Sequence, residues 1–173
     1  MASKETLNRL SDNKLIDAIK NHKQYGYSEE LREQAIAILE ERGISKEQLK
    51  LTGNLENTNY NYAKDLFDTY LKNSKIALVF YSILILTILI WPILTINSSV
   101  FNIIIITLNW ISFIGFPIFL IKSFINQNEF SKLVNEDYAT EGALMYIFIG
   151  IPLYILMYFY FRKDMREKMA LIK

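Results

Sequence analysis

The sequence predicts an all-α protein: a small cytosolic helical bundle followed by a helical membrane domain of two or three transmembrane segments. The main observation is a run from Ile76 to Ile121 that contains no Asp, Glu, Lys, Arg or His. A second, almost purely apolar segment covers 143–161, whereas residues 1–75 are charged and polar. This uneven distribution indicates one part that lies in water and one part that lies in a membrane.

Four regions follow from this distribution. They are a small soluble helical bundle at 1–52, a linker and amphipathic juxtamembrane helix at 53–75, a membrane domain at 76–161 and a basic tail at 162–173. The start of the chain has no apolar stretch typical of a signal peptide, so we expect the bundle to stay in the cytoplasm. So small a bundle buries little apolar surface, and we expect it to depend on a partner, a second copy or the membrane domain.

Three short helices are predicted in the bundle from caps and apolar spacing. The first covers about 12–22. The second begins after Ser28, a good N-cap, and ends before Gly43, which suits the position after a helix. The third begins at Ser45, which has capping-box spacing, and ends near Leu51. The expected buried residues of the first two helices are Leu15, Ile16, Ile19, Leu31, Ala35, Ile38 and Leu39.

A polar segment rich in turn-forming residues, Thr52–Asn59, is predicted to be a linker. An amphipathic helix is then expected from about Tyr60. It either lies near the membrane interface or runs straight into the first span. Its apolar residues at helical spacing are Tyr62, Ala63, Leu66, Phe67, Tyr70 and Leu71.

The uncharged run is long enough to cross a hydrocarbon core of roughly 30 Å twice at about 1.5 Å of rise per residue. Its only polar cluster is Asn97-Ser98-Ser99, so we place the turn there. The predicted spans are therefore about 76–96 and 100–121, with 143–161 as the third apolar segment.

Three polar residues of the second span, Asn102, Asn109 and Ser112, share one helix face. In lipid a side-chain amide needs a partner, and another helix usually supplies it. We expect these residues to mediate helix packing; the alternative is that they line a pore.

Tyr146, Gly150, Tyr154 and Tyr158 recur at every fourth position of the third segment. This stripe is predicted to pack on another helix, with close approach at Gly150; the alternative is that it lines a polar path. Helix kinks are expected at two places where Gly and Pro lie close together. These are Gly115 with Pro117, and Gly150 with Pro152.

The charges beside the apolar segments make incompatible demands on topology. Lys72 and Lys75 place the start of the first span inside, and Lys122 places the end of the second span inside. If 143–161 then spans the membrane, the basic tail lies outside against the charge rule. If instead it dips in and returns by bending at 150–152, the tail stays inside, provided that protein shields the irregular backbone. The sequence leaves both possibilities open.

Composition also bears on chemistry. The chain has no cysteine, which excludes disulfides and thiolate chemistry. Its formal net charge of +1 gives no overall electrostatic field that would attract nucleic acid. The single histidine, His22, is expected to be a surface or capping residue. No catalytic, metal or cofactor motif is found, and the acidic residues Glu136, Asp137 and Glu141 are expected to form a solvated loop. We therefore expect no enzymatic activity and no cofactor.

The favoured hypothesis is a non-enzymatic subunit or scaffold of a membrane protein complex, placed in the bacterial inner membrane with the N-terminal part in the cytoplasm. Its partners would be the lipid bilayer and other membrane subunits or further copies of itself. A second hypothesis is a homo-oligomeric pore or channel-forming effector. The third and weakest is an enzyme acting on lipid through Arg162, Lys163 and Asp164.

Overall fold

The structure is a computed structural model that describes residues 4–91, 99–134, 144, 146–148 and 150–172. These residues form helices joined by turns and short irregular segments, with no strand among them, so the all-α prediction is confirmed. The chain divides into two compact units, with the boundary between Asn61 and Tyr62.

Five short helices make up the N-terminal unit. They are α1 (Lys4–Asn8), α2 (Asp12–Lys20), α3 (His22–Tyr25), α4 (Glu29–Glu41) and α5 (Lys46–Leu51). The apolar sides of α1, α2, α4 and α5 meet in one core, which comprises Leu7, Leu15, Ile19, Ala35, Ile36, Ile38, Leu39 and Leu49. The core includes Leu7 of α1, a helix that the sequence patterns did not predict.

The predicted caps of this unit are confirmed. Ser28 accepts a hydrogen bond from the backbone N–H of Leu31, and Ser45 and Gln48 form a complete capping box. Gly43 follows α4 with φ of +93°, a conformation that L side chains rarely adopt. These local signals place the helix ends where the sequence predicted them.

The predicted helix over 12–22 is wrong in its C-terminal part, because α2 ends at Lys20 and a separate turn of helix, α3, begins at His22. Of the two roles expected for His22, the surface position is wrong, since its exposed fraction is 4%. The capping role is confirmed, because its side chain bonds to a carbonyl in the last turn of α2. Its Nδ1 lies 3.0 Å from the carbonyl oxygen of Ile19 and its Nε2 lies 3.2 Å from a carboxylate oxygen of Glu29. The carbonyl can only accept, so Nδ1 donates.

The segment predicted as a linker is held against the bundle by two polar side chains. Arg32 donates to the carbonyl oxygen of Leu55 at 3.2 Å. Asn57 is buried and donates its side-chain amide to Asn21 at 2.7 Å, while its backbone N–H bonds to the carbonyl of Lys20. The segment is thus part of the N-terminal unit rather than a loose connection.

The second unit is built on two long helices, α6 (Thr58–Ile90) and α7 (Ser99–Leu133). Both are long and apolar enough to cross a membrane. The amphipathic part of α6 runs without interruption into its apolar part, the second of the two arrangements considered above. Asn97 and Ser98 of the predicted turn lie outside the described residues, and Ser99 is the first residue of α7.

Helices α6 and α7 are antiparallel neighbours. Three side-chain hydrogen bonds along their length show this: residues that come later in α6 pair with residues that come earlier in α7. These bonds are Tyr62 to Glu129 at 3.3 Å, Asn73 to Asn126 at 3.0 Å and Asn109 to Thr87 at 2.8 Å. Helix α7 continues through Pro117 as α-helix, and the kink expected at Gly115 and Pro117 stays a prediction.

The third apolar segment, for which the sequence left open a kinked span or a returning loop, is not one continuous helix in the structure. Residues 144 and 146–148 are helical, 150–153 form a turn and bend, and helix α8 begins at Tyr154 and ends at Lys168. The interruption falls where Gly150 and Pro152 predicted a kink. Within the described ranges, α6 and α7 are the helices long and apolar enough to cross a membrane, and α8 is not among them.

Candidate functional site

The most elaborate arrangement of polar side chains in the second unit is a buried cluster where α6, α7 and the third apolar segment meet. We call it the tyrosine junction. Its members are Tyr70 and Ser74 of α6, Ser123 and Gln127 of α7, and Tyr146, Tyr154 and Tyr158 of the third segment, all of them buried. It joins residues that lie up to 88 positions apart, between Tyr70 and Tyr158.

Hydrogen bonds within the junction tie the third segment to α6. The Tyr154 hydroxyl donates to the backbone carbonyl of Ser74 at 3.1 Å. The Tyr158 hydroxyl accepts from Arg162 at 2.8 Å. Ser123 uses its hydroxyl within α7, donating to the carbonyl of Phe119 at 2.8 Å.

Tyr146 fills the space between α7 and α8. Its ring makes an edge contact with Phe124 at 5.0 Å between centroids and stacks on Phe161 at 5.1 Å. Its buried hydroxyl interacts with that of Tyr70 but has no hydrogen bond of normal length among the described residues. The contact with Phe161 shows that the two arms of the third segment lie side by side.

A triad of aromatic rings holds the bend of the third segment. The rings of Tyr81, Phe116 and Tyr154 lie 5.2–5.8 Å apart in pairs, each helix contributing one. The Tyr81 hydroxyl also donates to the carbonyl oxygen of Pro152 at 2.8 Å, which satisfies a backbone group that the bend leaves free.

The two glycines predicted at kinks serve close packing. A Cβ on Gly115 would lie 2.8 Å from the ring of Phe80, so this glycine lets α6 approach α7. A Cβ on Gly150 would lie 2.1 Å from the carbonyl oxygen of Tyr146 and 3.0 Å from the Met157 sulfur. At Gly150 the close approach is to the segment's own arms rather than to another long helix.

The three polar residues of the second span occupy different environments. Asn109 donates to Thr87 of α6, Ser112 is buried and Asn102 is half-buried. Asn109 also borders an open groove of about 380 Å³ between α6 and α7, whose walls include Trp91 and Trp110. The structure therefore brings Asn109 into contact with the neighbouring helix and leaves Asn102 without such a partner among the residues described.

The tyrosine stripe lies on the side of its segment that faces α6 and α7. Tyr146, Tyr154 and Tyr158 all belong to the junction. Sequence reasoning missed their counterparts Tyr70, Ser74, Ser123 and Gln127. A signal was present, because Tyr70 with Ser74 and Ser123 with Gln127 are each four apart and so share a helix face.

The chemistry available in the junction is that of hydroxyl and amide groups, which hold helices together. In the part of the chain that the structure describes, no three His, Asp or Glu side chains come close enough to hold a metal ion. The acidic residues Glu136, Asp137 and Glu141 lie outside the described residues. Comparison with protein-family models, curated proteins and solved structures gave no match.

Proposed function

We propose that the chain is an integral membrane protein that acts as a non-enzymatic subunit or scaffold of a membrane protein complex. One observation carries the proposal: the two long helices turn most of their apolar side chains outward. Only 17% of the most apolar window of each helix is buried. A core helix of a soluble protein would be mostly buried, whereas a helix in lipid gains nothing by hiding such residues.

Many large apolar side chains along α6 and α7 are exposed. Patches larger than a few hundred Å² are uncommon on soluble monomers and mark contact with lipid or protein. The large exposed residues in the uncharged run are Val79, Ile85, Leu86, Ile88, Leu89, Trp91, Val100, Ile103, Ile104, Ile106, Leu108, Trp110, Ile111, Phe113, Ile114, Ile118 and Ile121.

The bend of the third segment supports two crossings rather than three. Its arms contact each other through Tyr146 and Phe161, and its tip touches Tyr81, five residues into the uncharged run. At about 1.5 Å per residue the tip enters the apolar layer by only about 7–8 Å. The segment then dips in and returns, shielded by α6 and α7.

Two crossings also remove the conflict between the flanking charges. The N-terminal unit, Lys122 and the basic tail all lie on one side, and the uncharged turn lies on the other. By the positive-inside rule the charged side is the cytoplasm, which agrees with a bacterial inner-membrane protein whose N-terminal unit is cytoplasmic.

The hydrogen bonds that polar side chains make within the chain support a scaffold role. Asn109, Asn73 and Tyr154 form their hydrogen bonds inside the chain and thereby fix its own helices. The outward surface of the long helices is left for apolar contact with lipid or with other subunits, and the N-terminal unit offers a separate surface to a cytoplasmic partner.

The alternative of a homo-oligomeric pore is favoured by one feature, the open groove that contains Asn109, Trp91 and Trp110. A second copy seated there would bring polar amides to an interface between chains. No charged ring accompanies the groove among the described residues, so ion selectivity would depend on amide groups alone.

Two measurements test the proposal. Membranes from expressing cells are washed with alkaline carbonate: an integral protein stays in the pellet, and release into the supernatant overturns the proposal. The protein is then purified in mild detergent. A foreign partner in fixed stoichiometry supports the subunit, whereas a single-species ring that conducts ions in liposomes supports the pore and rejects the scaffold.

A further inference from the structure

We propose that helix α8 binds an anionic phospholipid, with the acyl chain on its apolar first half and the phosphate on its basic second half. The inference rests on the membrane placement proposed above and goes beyond it by naming a ligand class and its residues. It is carried by a surface stripe on α8 that changes from apolar to basic along one helix face.

The stripe follows from helical spacing. Leu156, Phe159, Lys163 and Arg166 are three or four residues apart, so their side chains lie one above the other. Leu156 is 64% exposed and Phe159 is 60% exposed. The opposite face of the helix carries Tyr154, Tyr158 and other buried residues, so the stripe is free for a ligand.

The basic half of the stripe forms an open groove of about 610 Å³. Its walls comprise Phe159, Arg162, Lys163, Arg166 and Glu167. Three cations face one carboxylate there, and the Lys163 to Glu167 separation of 3.8 Å between two exposed side chains makes a weak pair. The groove therefore carries a positive excess that complements a phosphodiester.

Arg162 has a defined orientation. Side chains on a helix lean toward its N-terminus, and Arg162 reaches back to donate to Tyr158 at 2.8 Å. Its guanidinium also lies over the Tyr158 ring, 5.8 Å from the centroid. A guanidinium carries five N–H groups, so Arg162 can bind a phosphate oxygen while it keeps its hydrogen bond to Tyr158.

The apolar half of the stripe selects a lipid over a soluble phosphate compound. Leu156, Phe159 and Tyr160 lie directly before the cations, and the bend that precedes α8 contacts Tyr81 of the uncharged run. The stripe thus extends from the apolar layer toward the charged side, in the same order as the tail and head of a phospholipid.

The test compares lipids in vesicles that contain the full-length protein. Spin-labelled phosphatidylglycerol and spin-labelled phosphatidylcholine are added in turn, and the motionally restricted fraction of each is measured. We expect phosphatidylglycerol to be preferred by about fivefold or more at low salt, since each cation near a membrane surface contributes roughly that factor. Free glycerol phosphate in excess should not reduce its restricted fraction; displacement would reject the lipid as the ligand.

The variant that tests the groove is R162Q/K163Q/R166Q. It should bring the preference close to one, while K14Q/K23Q/K50Q, which removes the same charge from the N-terminal unit, should leave it unchanged. Because the triple variant also removes the bond from Arg162 to Tyr158, K163Q alone is measured as well; the Lys163 side chain is 79% exposed. It should lower the preference in part.

Equal restriction of both lipids by the unaltered protein overturns the inference, as does a loss of preference in the N-terminal control variant. Release of the protein by carbonate would instead reject its membrane placement, so the two failures are distinguishable.

Discussion

The Tyr81 hydroxyl donates a hydrogen bond to the carbonyl oxygen of Pro152 at 2.8 Å. Tyr81 lies in the C-terminal half of α6, and Pro152 lies in the bend of the third apolar segment. The bond therefore fixes the depth of that bend relative to the uncharged run. With the stacked rings of Tyr146 and Phe161, it is the main reason to treat the segment as returning to the side from which it came.

The first prediction concerns topology. The chain has no cysteine, so single substitutions report on exposure without removing any native thiol. In intact cells an impermeant maleimide should label S99C, at the start of α7, but neither K14C nor A170C. In inside-out vesicles the pattern should reverse. Labelling of A170C together with S99C would show a third crossing.

The second prediction concerns the bond that holds the bend. Y81F removes the hydroxyl and leaves the Pro152 carbonyl without its donor, which should destabilise the bend by about 1–3 kcal/mol. Hydrogen exchange in detergent should become faster over 150–165 but not over the N-terminal unit. Y160F is the matched control, because Tyr160 is 59% exposed and its hydroxyl bonds to none of the residues that the structure describes.

The third prediction separates the two close-packed glycines. G150A should lower stability strongly, because the added Cβ would lie 2.1 Å from a backbone oxygen that cannot move without changing the bend. G115A should cost less, about 1–3 kcal/mol, because the Phe80 ring can rotate away. The midpoints of unfolding in dodecyl sulfate should fall in this order, and a larger effect at Gly115 would contradict the packing described.

The fourth prediction uses the bond between Asn109 and Thr87. N109L and T87V should each weaken the pairing of α6 with α7, and the double variant should cost less than the sum of the two. Interhelical hydrogen bonds in membranes are worth about 0.6 kcal/mol on average, so a coupling energy of that order is expected. Additive effects would place Asn109 at a contact outside its own chain. A changed conductance in N109L would favour the pore.

The fifth prediction concerns pH and the N-terminal unit. The hydrogen bond from Arg32, with the charges of Arg32 and His22, lowers the pKa of Glu29 below its ordinary value of 4.5. The folded state therefore gains stability above that ordinary value and loses it as the pH falls through the lowered pKa. A carboxylate oxygen of Glu29 lies 3.2 Å from Nε2 of His22, and both residues belong to the N-terminal unit.

Hydrogen exchange over 4–57, compared at each pH between the unaltered chain and E29Q, measures this effect. The difference should be present at pH 7 and should vanish at a pH well below the ordinary value. Because Glu29 is largely exposed, we expect no more than about 1 kcal/mol. A difference that persists at low pH would assign the role of Glu29 to packing instead.

Much of the fold was readable from short-range signals. Ser28, Ser45 and Gly43 act within a few residues of their own position, so their sequence context was enough to predict the helix ends. The two long helices were equally clear, because the uncharged stretch from Ile76 to Ile121 is long enough for two apolar helices. Helix α1 was missed because its only core residue, Leu7, packs on residues far away in sequence.

The candidate site was predicted only in half. The stripe of Tyr146, Tyr154 and Tyr158 was visible as a repeat, but its partners Ser74 and Tyr70 looked like ordinary residues of an amphipathic helix. Their pairing depends on which faces of three helices meet. The same holds for His22, whose burial depends on the packing of the N-terminal unit rather than on its neighbours.

By itself, the sequence determined the helical class, the charge-free stretch, the caps of the short helices and the interruption near Gly150 and Pro152. These properties depend on side-chain chemistry and on contacts within one or two turns. The course of the third segment was decided only by the tertiary structure. The sequence predicts a bend near Gly150, but only the contacts of Tyr81, Tyr146 and Tyr154 with residues distant in sequence show that the two arms lie side by side.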